Sequence, residues 1–103
     1  MPNSQVHRYP LRVHARPEVR VKRSTTDDDV RLLAAGIGLG EYRNTVRTGF
    51  GRRVLLFDNG LIERRSRSIR FSFDGLEPTA IDRLLEGLDM ELQKPNRFPW
   101  VLR

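Results

Sequence analysis

The sequence predicts a small two-layer α+β domain: an antiparallel sheet with two helices, about 26–36 and 78–93, on one face. Three observations predict it. Apolar residues recur at helical spacing twice, at Val30, Leu33, Ala34 and Ile37 and at Ile81, Leu84, Leu85, Leu88 and Leu92. Elsewhere the pattern switches to period 2, the strand signal. The pairs Asn59-Gly60 and Asp74-Gly75 separate apolar runs as turns do. At 103 residues the chain has room for one domain. Residues 1–23 are expected to form a basic extended strand or arm, and 24–103 the domain proper.

Residues 9–22 alternate: Leu11, Val13, Val19 and Val21 take one side, and Arg12, His14, Arg16, Arg20 and Lys22 the other. Pro10 and Pro17 cannot donate to a ladder, so an edge strand with a break near Arg16-Pro17 is expected. Thr26 suits an N-cap, with Asp27, Asp28 and Asp29 in the first turn and Gly36, Gly38 and Gly40 as stops. One or two strands are expected within 42–57, and a hairpin about Asn59-Gly60. In "SIRFSF", Ile69, Phe71 and Phe73 share a side. Pro78 suits the first turn of the last helix, whose Asp82, Glu86, Asp89 and Glu91 are expected to face away from the core. "FPWVL" reads as a closing strand or docked tail.

The net charge is +6, and 17 of the 19 basic residues are Arg, the side chain whose planar fork fits phosphate. The charge is segregated. Residues 43–73 carry a net +6, and 74–93 a net −5. Strands are basic and helices acidic, so helices buried against one side of the sheet leave a cationic open face. "RRSRSIR" (64–70), read as one regular strand, sends Arg64 and Arg70 one way and Arg65 and Arg67 the other, unless a bulge near Ser66 reunites them.

Other motifs carry little chemistry. "GIGLG" follows a helix, the reverse of the order a dinucleotide fingerprint needs. "DDD" (27–29) points in different directions on a helix and reads as cap and dipole complement rather than a metal site. "IDRLL" (81–85) is the core stripe. No Cys is present, and His7 and His14 are the two imidazoles, so no nucleophilic constellation forms. Phe98 and Trp100 in the basic tail either stack on bases or anchor the tail to the core. No cofactor and no metal are expected, nor any membrane contact, because no apolar stretch approaches bilayer length. The first residues lack an apolar signal core. A soluble intracellular protein is expected.

The stretch "GLGEYRNTVRTGFGRRVLLF" (38–57) resembles the central strands of RelE-type toxins, small basic ribosome-dependent ribonucleases. The resemblance covers about a fifth of the chain. It implies a small ribonuclease and assigns no catalytic residue.

The leading expectation is a non-enzymatic module that binds nucleic acid, RNA or DNA, or a nucleoprotein particle. Its phosphate contacts are expected at Arg12, His14, Arg16, Arg20 and Lys22, with Arg64, Arg65, Arg67 and Arg70 as a second group. The alternative is an assembly protein, such as a small component of a viral or other large particle. There the basic strands meet an acidic protein surface or the acidic helices of a second copy in a homo-oligomer. The RelE-like ribonuclease is the remote third.

Overall fold

In the computed structural model, which describes residues 16–73 and 75–102, five antiparallel strands form one sheet in the order β1-β5-β4-β3-β2. The strands are β1 (Glu18–Arg20), β2 (Tyr42–Arg47), β3 (Arg53–Phe57), β4 (Gly60–Arg64) and β5 (Ser68–Ser72). Helix α1 (Asp27–Ile37) links β1 to β2, and α2 (Pro78–Gln93) follows β5. This is the expected small α+β domain. Strands β2 to β5 form a meander, and β1 adds to its far edge by pairing Val19 with Ile69.

The side-chain period of two sorts each strand. Val19, Ile69, Phe71, Phe73, Ile62, Leu55 and Phe57 point to one side and are buried with Val30, Leu33 and Ile37 of α1 and Ile81, Leu84 and Leu88 of α2. Helix α1 starts where its sequence says. Thr26 accepts from the Asp29 N–H, and the Asp29 carboxylate accepts from the Thr26 N–H, closing a capping box. It runs one residue past Gly36 and is capped by Gly38 in the left-handed conformation (φ 84°). Gly36 lies inside the helix and Glu91 lies across it: a Cβ there would sit 2.8 Å from Glu91 Oε2. Glu91, expected to face away, is therefore buried, held by Lys94 at 2.6 Å and Arg97 at 3.5 Å.

Two turn positions also differ from expectation. The β3–β4 connection is Asp58-Asn59, and Gly60 is the first residue of β4, paired with Phe57. Gly60 takes φ 154° and packs so closely that a Cβ would overlap the Ser72 carbonyl oxygen. The stretch 64–70 is not one strand. Arg64 ends β4, the chain reverses through Arg65, Ser66 and Arg67, and the Arg65 N–H donates to the Ser68 carbonyl. The tail docks: Phe98 and Trp100 are buried edge to face at 5.5 Å, and Val101 bridges Val21. No described helix is long and apolar enough to cross a membrane.

Candidate anion site at one end of the sheet

Arg64 is the residue around which this site is built. Its parity follows from Ile62: two residues on, it points to the helix side, and cross-strand pairing sets it opposite Arg53, which in turn pairs with Arg47. Three strands thus bring arginines into the last helix-side row. The two turns at this end, 48–52 and 65–67, and the segment 23–25 before α1 close over the row. The result is a pocket of about 570 Å³ lined by Arg23, Thr25, Phe50, Gly51, Arg52, Arg53, Arg64, Arg65 and Ser66.

The charges in it are unevenly satisfied. Arg53 forks onto Asp27 of α1, with Nε and Nη2 each donating at 2.9 Å to a separate carboxylate oxygen. That hydrogen bond raises the Arg53 pKa above its ordinary value. Arg64 is only 4% exposed, and its Nη2 donates to the Thr25 carbonyl at 2.8 Å. Its Nε and Nη1 have no partner among the described residues, and neither does the hydroxyl of Thr25, itself 5% exposed. Burial lowers the Arg64 pKa, with the charge of Arg53 adding to the shift. Buried donors without acceptors carry a desolvation cost of about 1–3 kcal/mol each, more for charged groups. Such donors fit an acceptor-only ligand that carries negative charge.

The sequence-derived candidates scatter about this site. Arg12 and His14, with His7, lie outside the described residues. Arg16, Arg20 and Lys22 are exposed, with Arg20 opposite Ser68 on the open side of the sheet. Arg67 is exposed in the 65–67 turn. Arg70 also points to the open side, 3.5 Å from Glu18, so Arg64 and Arg70 face opposite ways, because the reversal at 65–67 breaks the expected strand. Arg64 and Arg65 alone of the second group line the pocket.

The open face mixes charge with apolar surface rather than being cationic throughout. Glu18, Arg70 and Glu63 form one cross-strand row, and Asn44, Leu56, Leu61 and Ser72 another. Arg23, Arg52, Arg53 and Phe50 are pocket residues that the sequence reading missed. The signal for Phe50, Arg52 and Arg53 was the run "GFGRR", an aromatic between glycines followed by two arginines; Arg23 carried none.

Among the described residues, no group of three or more His, Cys, Asp or Glu could hold a metal ion. The chain matches no family model, no curated protein and no solved structure.

Proposed function

We propose that the protein is a non-enzymatic nucleic-acid-binding module that takes phosphates into the arginine pocket. The observation that carries this reading is the buried Arg64, which keeps two unpartnered N–H donors beside Arg23, Arg52, Arg53 and Arg65. A phosphate diester supplies acceptor oxygens and a negative charge, and arginine holds it through two parallel bonds. The cationic lining has little acid–base use near neutral pH, because arginine keeps its proton there. This favours binding over catalysis. The exposed Arg16, Arg20 and Lys22 add to the positive field of the domain.

Fluorescence anisotropy against a labelled oligonucleotide across a salt series tests it. Occupation of four or five phosphates gives a slope of log affinity on log salt of roughly −3 to −4. Arg23→Ala with Arg52→Ala, both exposed positions, is expected to flatten that slope by about two units and weaken all sequences alike. Arg12→Ala with Arg20→Ala is the comparison pair and reports the share of the N-terminal stretch. Absence of binding at about 50 mM salt, where counterion release strongly favours association, rejects the proposal.

The assembly reading retains one observation of its own. Val46, Val54, Leu56 and Leu61 lie together on the open face of β2, β3 and β4, and Val46 is 43% exposed. Light scattering of the protein alone, across the same salt series, reads it out.

A further inference from the structure

Phe50 is 99% exposed at the tip of the β2–β3 connection. It also takes a left-handed backbone conformation, φ 65° and ψ 31°. Both features oppose folding. The exposed ring forgoes burial, and a left-handed bulky residue is strained where Gly or Asn is tolerated. Backbone strain of this kind points toward function when the surrounding fold does not require the side chain, and here it does not. A Cβ built on Gly49 or Gly51 would meet nothing within 4 Å, so the positions flanking Phe50 face open space. Phe50 nevertheless borders the pocket that Arg52, Arg53 and Arg64 line.

An aromatic face beside a cluster of arginines has a specific complement: a base next to its own phosphate. In a duplex the faces of the bases are covered by their neighbours, and a phenyl ring gains contact only where a base is unstacked. Resting on the nucleic-acid reading above, we infer that the partner is single-stranded nucleic acid, one base stacking on Phe50 while an adjacent phosphate enters the arginine pocket. The phenyl ring has no hydrogen-bonding group, so the contact accepts any base and the binding is tolerant of sequence.

The test compares a single strand with a duplex of the same length by anisotropy at one salt concentration. The single strand is expected to bind at least about tenfold more tightly. Phe50→Ala is expected to weaken the single strand about tenfold or more, to leave the duplex unchanged and to keep the salt slope, because stacking releases no counterions. Phe50→Trp is expected to keep the affinity and to add an emission that quenches on binding, above the background of the buried Trp100. Equal binding of both forms, untouched by Phe50→Ala, overturns this inference while the phosphate reading stands. Binding of neither form at low salt overturns both. A change in oligomeric state on Phe50→Ala with unchanged oligonucleotide affinity also overturns it, because the ring then serves a protein contact.

Discussion

Arg53 and Arg64 stand directly opposite each other on β3 and β4, both on the helix side of the sheet. Like charges in a cross-strand pair destabilise, and a single carboxylate, that of Asp27, forks onto one of them. Among the described residues this pair therefore holds one arginine with an ion partner and one without, and a bound anion would relieve the second.

The first prediction follows from that asymmetry. Phosphate at about ten times its dissociation constant is expected to stabilise the fold by about 1.4 kcal/mol, or about 6–11 °C in Tm. Chloride at equal ionic strength is the control. Arg64→Met nearly keeps the volume and removes a buried charge whose desolvation opposes folding, at the loss of the hydrogen bond to the Thr25 carbonyl. It is expected to leave the unliganded protein no less stable and to remove most of the phosphate effect. A loss above about 1 kcal/mol in the unliganded variant would mean that Arg64 mainly braces the Thr25 segment through its hydrogen bond to the Thr25 carbonyl.

The second concerns Asp27, which joins helix and sheet and also lowers the positive potential of the pocket. Asp27→Asn gives up the charge of a half-exposed ion pair and of a first-turn acid, together about 0.5–1.5 kcal/mol. It is also expected to tighten oligonucleotide binding and steepen the salt slope. Denaturant titration and anisotropy on the same variant check the opposed signs. Weaker binding would place the value of Asp27 in orienting Arg53 rather than in restraining it.

Both helices were legible in the sequence because a 3.6-residue apolar period, a Thr-x-x-Asp cap and a Pro at the first turn agree with one another. The candidate anion site was not, for two physical reasons. Between Arg64 and Ser68 only Ser66 is a turn-favouring residue, so the reversal after Arg64 was hidden and Arg64 was read as facing the same way as Arg70. The pocket also depends on convergence of residues 23–25, 50–53 and 64–66, which antiparallel topology creates and local periodicity does not encode. The parity from Ile62 to Arg64 was present, and followed alone it would have placed an arginine among core residues. Glu91 was misread because its burial depends on Gly36 of the other helix.

The third prediction tests the core beneath the site. Leu88 is buried against α1 and the sheet, so Leu88→Ala is expected to cost about 2–5 kcal/mol, a large share of the stability of a domain this size. Denaturant unfolding measures it. A cost below about 0.5 kcal/mol would mean that the stripe serves a partner. Because Leu88 is absent from the lining of the pocket, the folded fraction of the variant should keep its phosphate affinity.

The last prediction concerns acid. Glu91 is held below its ordinary value of 4.5, chiefly by the hydrogen bond from Lys94, with the charges of Lys94 and Arg97 assisting. Asp58 is held below 3.8, first by the backbone N–H of Glu41 and then by Arg43. Each folded-state value is depressed, so between the two values the unfolded chain binds more protons and stability rises with pH. These contributions are complete above the ordinary values and are lost as pH falls through the depressed ones. The denaturant midpoint is therefore expected to be flat near pH 6 and to fall below about pH 4.5. Glu91→Gln, which keeps the shape but cannot ionise, is expected to start from a lower midpoint at pH 6 and to lose less on acidification. An unchanged acid slope in this variant would show that Lys94 and Arg97 hold Glu91 no more tightly than solvent does, and that its position over Gly36 is a matter of packing alone.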